Sequence, residues 1–341
     1  MSDMEYVNLG KSGLKISKVV LGCMSYGSSA WQKWVLDEDK ALPLLKAAFD
    51  KGINTWDTAD FYSDGESERI VGKAIKEYNI PREQLVVLSK CYFTWDSDAG
   101  VMASNNNSKW VNRCGLSRKH IMDAVDQSIA RLGTYIDVLQ IHRLDRETPM
   151  EEIMRALHDV VTSGKVRYIG ASSMNAWEFQ MLQNIAEKNG WTKFISMQNY
   201  INLLYREEER EMIPYCKATG VGLIPWSPLA RGVLSRPIGA EKTTREQVDK
   251  VLISHYKLRE NETDNAIIAR VEEVAKKRNT SMAIVASAWV MRQGANPIVG
   301  LNSVERMDEA IEAIKFKLTD EECAFLEEPY LPKRITGHDT K

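Results

Sequence analysis

Eight short apolar runs, each followed by a segment of helical periodicity, constrain the fold of this 341-residue chain more than any other feature. The runs are rich in β-branched residues and short, as expected of parallel strands that are buried on both faces. They occupy residues 19–22, 53–57, 85–90, 136–142, 166–171, 194–198, 221–225 and 297–300. Eight strand–helix units in strict order predict an α/β fold, a (β/α)8 TIM barrel. We expect residues 1–341 to form one domain, with a core over about 6–330.

The main alternative is a doubly wound sheet, which carries a glycine-rich phosphate turn after its first strand. Here that turn, residues 22–27, reads Gly-Cys-Met-Ser-Tyr-Gly and has no G-x-G-x-x-G pattern. The barrel is therefore the favoured fold.

Other features decorate the predicted barrel. Residues 6–9 and 14–17 flank a Gly-Lys-Ser-Gly turn and predict a β-hairpin at the bottom. Residues 148–151 (Thr-Pro-Met-Glu) predict a capping box that starts the fourth helix. Three long connections follow strands and therefore lie at the C-terminal rim, where barrel enzymes keep their sites. They cover residues 24–38, 91–117 and roughly 230–262.

Composition excludes several classes of protein. A formal net charge of −2 gives no attraction for nucleic acid or anionic membranes, and no run of about 18 apolar residues spans a bilayer. The first five residues lack the features of a secretory signal. Five widely spaced cysteines without a C-x-x-C motif indicate reduced thiols, and histidine pairs with metal-ligand spacing are absent. We expect a cytoplasmic protein without a bound metal.

Polar residues end three consecutive predicted strands. Asp57 ends the second, Lys90 the third and His142 the fourth, while Tyr62 lies in the loop after the second strand. Taken singly, an Asp–Lys pair is usually a structural ion pair, and a lone histidine usually has its hydrogen bonds satisfied within the fold. Four such residues on consecutive units, around one side of the barrel mouth, indicate a site.

Together these four residues fit a site in which Tyr62 donates a proton and the other three assist it. A free phenol has a pKa of about 10, and a lysine ammonium beside Tyr62 would lower it. Asp57 would hold Lys90 in place and keep it charged. Neutral His142 could donate a hydrogen bond to a substrate oxygen that gains negative charge. The secondary interpretation is that Lys90 forms a Schiff base with the substrate, as in aldolases. That chemistry needs a lysine with a lowered pKa, whereas Asp57 nearby would raise the pKa of Lys90.

These residues carry a resemblance to the aldo-keto reductase family. Residues 54–62 (Asn-Thr-Trp-Asp-Thr-Ala-Asp-Phe-Tyr) and 65–68 (Gly-Glu-Ser-Glu) resemble its first signature. Residues 140–143 and 164–173 resemble the second block, and residues 225–232 (Pro-Trp-Ser-Pro-Leu-Ala-Arg-Gly) the third. The turn at 22–27 and residues 205–210 are similar to the fungal branch of aryl-alcohol dehydrogenases and versiconal-type reductases.

The resemblance implies an NADP(H)-dependent carbonyl reductase, an oxidoreductase with a catalytic tetrad of Asp57, Tyr62, Lys90 and His142 in which Tyr62 is the general acid. It implies that the nicotinamide meets Ser172, Ser173 and Gln198 and stacks on Trp226. It places the pyrophosphate along Ser227, Leu229, Arg231 and Gly232. The adenosine end would meet Gly300, Asn302, Ser303, Arg306 and Glu309, with Arg306 facing the 2′-phosphate.

Three positions depart from many members of that family. Ser173 stands in place of Asn, Ala310 follows Glu309 in place of Asn, and Gly300 replaces a lysine found in some members. These departures weaken the preference that the family would otherwise imply for NADPH over NADH.

Aromatic residues crowd the predicted rim loops, which favours apolar or aromatic ligands, although several could only pack the loops onto the barrel. Our candidates for substrate contact are Tyr26, Trp31, Phe93 and Trp95. We expect a small-molecule carbonyl substrate, an aromatic or medium-chain aldehyde or a ketone. The other hypothesis is an NADPH-binding redox-sensing partner subunit with slow or no turnover, similar to potassium-channel β-subunits. No oligomeric state is predicted.

Overall fold

The computed structural model describes residues 4–338 apart from 97, 99, 103–106, 242 and 250–261. Its main sheet is parallel, and each of its eight strands overlaps one of the predicted runs. The strands lie side by side in the order β11 (Gly222–Leu223), β10 (Phe194–Gln198), β9 (Val166–Ser172), β8 (Ile136–Ile141), β5 (Val86–Cys91), β4 (Thr55–Asp57), β3 (Val20–Gly22) and β12 (Ile298–Val299). Apart from β3 and β12, the first and last strands of the barrel, neighbours in space are consecutive strands of this sheet in the chain, as consecutive βαβ units require.

The two outer strands of this sheet meet and close it. The amide of Asn296 donates to the carbonyl of Leu223, and the amide of Ile298 donates to that of Pro225, each at 2.9 Å. Trp226 also forms a parallel bridge with Ile298. The sheet is therefore a barrel, as predicted, and the carboxyl ends of all its strands surround one mouth.

Helices surround the barrel and bury one face against it. In the fourth helix, for example, Ile153, Leu157 and Val160 are at most 1% exposed. The helices are α1 (Glu38–Asp50), α2 (Glu66–Glu77), α3 (Arg118–Leu132), α4 (Met150–Thr162), α5 (Ala176–Asn189), α6 (Met212–Thr219), α7 (Thr244–Val248), α8 (Glu262–Lys277), α9 (Met282–Arg292), α10 (Val304–Lys315) and α11 (Asp320–Glu327). Among the described residues, no helix has the length and apolar character needed to cross a membrane.

The start of α4 differs from the prediction. Pro149 itself is the N-cap, and the hydroxyl of Thr148 donates to Asp145 Oδ2 at 2.7 Å. The capping box predicted at 148–151 is therefore wrong, because the threonine hydroxyl is already bonded to a neighbouring carboxylate.

A hairpin closes the bottom of the barrel, as predicted. Strands β1 (Tyr6–Asn8) and β2 (Lys15–Ser17) pair antiparallel. Leu9 and Ile16 are fully buried and pack with interior barrel residues such as Val138. The hairpin thus stabilises the end of the barrel opposite the mouth.

The long connections lie at the mouth. The first holds a 3₁₀ turn at Cys23–Ser25, and the second holds a small hairpin of β6 (Trp95–Asp96) and β7 (Val101–Met102). The third holds a 3₁₀ segment at Ala230–Ser235 and α7, while its residues 250–261 lie outside the described part of the chain. A fourth element was not predicted: the segment after α11 returns to the mouth, where His338 contacts Glu208.

Candidate active site

Buried Lys90 connects Asp57 to Tyr62 within the predicted tetrad. Lys90 Nζ lies 2.6 Å from Asp57 Oδ2, 3.2 Å from the hydroxyl of Tyr62 and 2.9 Å from the carbonyl oxygen of Thr58. Lys90 is fully buried and Asp57 is 2% exposed. His142 follows β8, and its ring centroid lies 5.8 Å from that of Tyr62. The structure thus brings together all four residues that the sequence placed on consecutive strand–helix units.

Two glutamines hold the second oxygen of the Asp57 carboxylate. Gln140 Nε2 donates to Oδ1 at 2.8 Å, and Gln198 Nε2 donates to the same atom at 2.9 Å. Gln198 Nε2 also donates to Gln140 Oε1 at 2.8 Å. Both amide hydrogens of Gln198 are used in this way, so a ligand would meet its side-chain oxygen. Sequence reasoning missed Gln140, although a polar residue inside an apolar strand run is a signal that could have found it.

The pKa of Tyr62 differs in direction from the expectation. Burial raises the pKa of the phenol, the Lys90 ammonium lowers it, and the net result lies above the ordinary value. The predicted lowering is therefore wrong in sign. The sequence indicated the neighbouring positive charge, but it could not show how completely the hydroxyl is removed from water.

The other charges agree with the expectation. Burial by itself lowers the pKa of Lys90, but Asp57 and Tyr62 raise it, and the net direction is upward, so the ammonium is kept. Burial, together with the positive charges of Lys90 and Arg143, holds the pKa of His142 well below its ordinary value. His142 is therefore a neutral imidazole at neutral pH. Its Nδ1 is buried and has no hydrogen-bond partner among the described residues.

A cavity of about 1060 Å³ opens above these residues. Asp57, Tyr62 and His142 form part of its wall. Most of the residues that the family resemblance assigned to the cofactor also line it: Ser172, Gln198, Trp226, Ser227, Leu229, Arg231, Gly232, Gly300, Asn302, Arg306 and Glu309. One connected cavity therefore joins the tetrad to these positions.

Two of the predicted cofactor residues do not line this cavity. Ser173 is fully buried, and its Oγ accepts a hydrogen bond from Trp226 Nε1 at 3.1 Å. Ser303 is the N-cap of α10, where its Oγ accepts from the amide of Arg306 at 3.4 Å. Both serines thus position a neighbouring residue that does line the cavity.

Trp226 lines the cavity and belongs to an aromatic stack. Tyr200 stacks on its indole, with ring centroids 4.3 Å apart and planes 17° apart, and Tyr205 stacks on Tyr200 at 4.7 Å. One edge of the indole bonds Ser173. The indole is thus held by Tyr200 and Ser173 where it lines the cavity, and a flat aromatic ring of this kind can stack on a nicotinamide.

Arg231, Asp249, Arg245 and Trp34 form a set of contacts at the wall of the cavity, here called the strap, of which the sequence singled out only Arg231. Arg231 Nη1 lies 2.9 Å from Asp249 Oδ2, and Arg245 Nε lies 3.1 Å from the same oxygen. The Arg245 guanidinium also sits 4.0 Å above the ring of Trp34. Trp34 and Arg245 both line the cavity. The contacts join the loop after β3 to α7, which sequence reasoning described only as two long rim connections.

At the far end of the cavity, Arg306 is exposed, and its Nη1 donates to Asn302 Oδ1 at 2.7 Å. A guanidinium that is oriented in this way fits a phosphate group.

The predicted substrate residues separate into two groups. Phe93 lines the cavity, with its ring 5.1 Å from that of His142. Trp31 packs 6.5 Å from the Tyr62 ring and 6.1 Å from the Trp95 ring, without lining the cavity itself. Tyr26 is fully buried, and its hydroxyl donates to the carbonyl of Leu301. The assignment of Tyr26 to the substrate is therefore wrong, because its side chain fastens two loops together.

Two further residues that line the cavity were not among the predicted site residues. Phe61 packs between Phe93 and Trp95, and its ring lies 5.5 Å from that of Phe93. Arg143 donates to the carbonyl of His142 at 2.5 Å. Phe61 precedes Tyr62 and Arg143 follows His142 in the chain, so their position next to predicted site residues was the signal that could have found them.

The closed barrel and the polar cluster at its mouth define the class of protein, an enzyme of the (β/α)8-barrel type. Residues 18–330 match the aldo/keto reductase family. The chain belongs to that family, and it is therefore an oxidoreductase of carbonyl and alcohol groups that uses a nicotinamide cofactor.

Its relatives place it in a fungal branch. It is 62% identical to versiconal hemiacetal acetate reductase of Aspergillus parasiticus over 339 residues, which cover 97% of this chain and 98% of the relative. It is 56% identical to a provisionally assigned aryl-alcohol dehydrogenase of Schizosaccharomyces pombe over 344 residues, 97% of each chain. An aldo-keto reductase of Alternaria alternata is 49% identical over 345 residues, 98% of this chain and 93% of the relative. The resemblance drawn from the motifs is confirmed.

Proposed function

We propose that this protein is an NADPH-dependent reductase of aromatic or medium-chain aldehydes and of some ketones, with Tyr62 as its general acid. The observation that carries the proposal is the position of Lys90, whose Nζ is 2.6 Å from Asp57 and 3.2 Å from the Tyr62 hydroxyl beside the cavity. This geometry serves a tyrosine that gives up a proton and must then be stabilised as an anion.

Each of the four residues has a distinct task in this proposal. The raised pKa of Tyr62 keeps the phenol protonated at neutral pH, so the hydroxyl can donate its proton to a carbonyl oxygen. The Lys90 ammonium then stabilises the tyrosinate, and Asp57 balances the lysine charge. Neutral His142 donates a hydrogen bond to the same carbonyl oxygen while negative charge develops there. The bound nicotinamide cofactor would supply the hydride.

The cavity residues fit a dinucleotide. Trp226, which lines the cavity, would stack on the nicotinamide, and Ser172 and the side-chain oxygen of Gln198 would meet its carboxamide. Residues 227–232 would follow the pyrophosphate, and Gly300, Asn302 and Glu309 would meet the adenosine. The guanidinium of Arg306 supports NADPH over NADH, because it can bond a 2′-phosphate.

Aromatic rings beside Tyr62 support the substrate class. The ring of Trp31 lies 6.5 Å from that of Tyr62, Phe61 lies 5.7 Å from Trp31, and Phe93 lies 5.5 Å from Phe61. Such a wall favours a flat or apolar carbonyl compound. The names of two relatives are consistent with this class, since one is called an aryl-alcohol dehydrogenase and the other a reductase of versiconal hemiacetal acetate.

The proposal is tested with purified protein, NADPH and a panel of aromatic and aliphatic aldehydes, following the absorbance of the reduced nicotinamide. We expect turnover by the wild type and a loss of about 10²–10⁴-fold in the Tyr62→Phe variant. Tyr78→Phe, a substitution of the same kind outside the site, is the matched control. Tight NADPH binding without turnover of any carbonyl would instead favour the redox-sensing subunit.

A further inference from the structure

The segment after α11 is fastened to the 3₁₀ turn Glu207–Glu209 beside the barrel mouth. Tyr330 donates its hydroxyl to Glu207 Oε1 at 2.7 Å, and the amide of Lys333 donates to the same oxygen at 2.8 Å. The amide of Thr336 donates to the hydroxyl of Tyr205 at 3.0 Å. These bonds define a clasped segment, residues 330–338, which lies along the rim.

A buried hydrogen bond between two side chains anchors the far end of the clasped segment. His338 Nε2 lies 2.6 Å from Glu208 Oε1, and the two residues are 7% and 4% exposed. The second oxygen of Glu208 accepts from Asn199 Nδ2 at 2.9 Å, so the carboxylate is fixed from the barrel side. Asn199 directly follows β10, the strand that ends in Gln198.

The other ring nitrogen of His338 also faces an acceptor. Its Nδ1 lies 3.3 Å from Asn175 Oδ1, and Asn175 Nδ2 donates to Glu178 Oε2, which fixes the orientation of the amide. His338 is therefore held through both ring nitrogens, by Glu208 on one side and by Asn175 on the other.

Between these anchors, the backbone of the clasped segment passes close to Trp226. Gly337 has a φ of +87°, and a Cβ at this position would lie 3.3 Å from Cζ2 of Trp226 and 3.9 Å from Ser173 Oγ. At the other end of the aromatic stack, Tyr205 bonds Thr336. The clasped segment therefore contacts both ends of the stack formed by Tyr205, Tyr200 and Trp226.

We propose that His338, held by Glu208, is a positioning residue that acts through Gly337 to fix the indole plane of Trp226 against the bound nicotinamide. The proposal rests on the proposed function, in which Trp226 meets the cofactor. Tyr200 limits the indole on one face, Ser173 holds one edge and Gly337 limits another. Releasing Gly337 frees the ring to tilt, which weakens the stack with the cofactor.

The decisive measurement is the equilibrium binding of NADPH alone, without a carbonyl substrate, followed by nicotinamide fluorescence. We expect His338→Gln and Glu208→Gln each to raise the Kd of NADPH about fivefold, about 1 kcal/mol. The double variant should lose no more than either single variant, because breaking the pair once already releases the segment. The KM of NADPH should rise in parallel, measured at a temperature at which every variant is fully folded.

His158→Gln is the matched control, since His158 lies on α4 and bonds Thr192 at 3.0 Å, away from the cavity. A second pair of variants does not depend on the buried hydrogen bond. Gly337→Ala places a methyl group against Trp226, whereas Gly133→Ala has a similar positive φ of +69° and no atom within 4 Å of its Cβ. Only Gly337→Ala should change the Kd.

The outcomes separate the two proposals. Folded His338→Gln and Gly337→Ala variants with the wild-type Kd would overturn the role of the clasped segment and leave the proposed function intact. If His338→Gln does not fold, Gly337→Ala decides in the same way. Wild-type protein that binds no NADPH would overturn the proposed function itself.

Discussion

Lys90 Nζ lies 2.6 Å from Asp57 Oδ2, and neither side chain is more than 3% exposed. The carboxylate also receives hydrogen bonds from Gln140 and Gln198, so its position is fixed from three strands. The stability of the barrel and the chemistry proposed at its mouth therefore both depend on Asp57 and Lys90.

Breaking the buried pair should cost much stability. Lys90→Met leaves the Asp57 carboxylate buried without its counter-charge, and we expect a loss of about 3–5 kcal/mol in the free energy of unfolding. Urea denaturation measures the change. In the control Lys46→Met, which breaks an exposed pair with Asp50, the cost should stay below about 1 kcal/mol. Adding Asp57→Asn to Lys90→Met should restore part of the loss, and equal costs for the buried and exposed pairs would contradict this account.

Stability should fall in acid because of His142. The folded protein holds the pKa of this imidazole well below its ordinary value, whereas the unfolded chain binds a proton near pH 6.5. The unfolded state therefore takes up a proton that the folded state refuses. The contribution of this group to stability is complete above about pH 6.5 and is lost as the pH falls, by up to about 1.4 kcal/mol per pH unit.

Urea titrations of the wild type and of His142→Asn, between about pH 7 and pH 5, measure this contribution. The curve of the variant should be flatter, because the asparagine cannot take up the proton. Other groups that titrate in this range affect both proteins equally. Two parallel curves would show that His142 does not carry the acid sensitivity.

Loosening the strap should speed the release of NADPH. Arg245→Gln removes the contact above the Trp34 ring and one of the two bonds to Asp249. A cation–π contact contributes about 0.5–2 kcal/mol, so we expect the dissociation rate to rise roughly two- to thirtyfold. Stopped-flow displacement of bound NADPH measures it. The control is Arg155→Gln, which removes a contact with Trp191 on the outer helices, and it should release NADPH at the wild-type rate.

Removing Arg306 should change the choice between the two cofactors. A charge-assisted hydrogen bond to a phosphate contributes about 1.5–3 kcal/mol, so Arg306→Ala should raise the KM of NADPH roughly 10–150-fold. The KM of NADH, which lacks the phosphate, should hardly change and is the internal control. An equal rise for both cofactors would mean that Arg306 serves the adenosine or the helix rather than the phosphate.

The sequence by itself determined the barrel and the members of its central cluster. Strands that are buried on both faces are short and apolar. Burying a charged side chain costs free energy, so Asp57 and Lys90 are conspicuous in such runs. Since parallel strands end at one rim, residues that are far apart in the chain could be placed together without coordinates. Capping at Thr148 and the role of Tyr26 were misjudged, since each depends on a neighbour that no local pattern identifies.

Only the tertiary structure decided the quantities that depend on burial and on long-range contact. The pKa of Tyr62 is raised because the folded chain removes water from its hydroxyl, an effect that outweighs the lysine charge beside it. Arg245 meets Trp34, and His338 meets Glu208, across more than a hundred residues of chain in each case. Sequence patterns report local periodicity, whereas solvent exclusion and contacts between distant loops arise only when the barrel closes and the rim segments pack together.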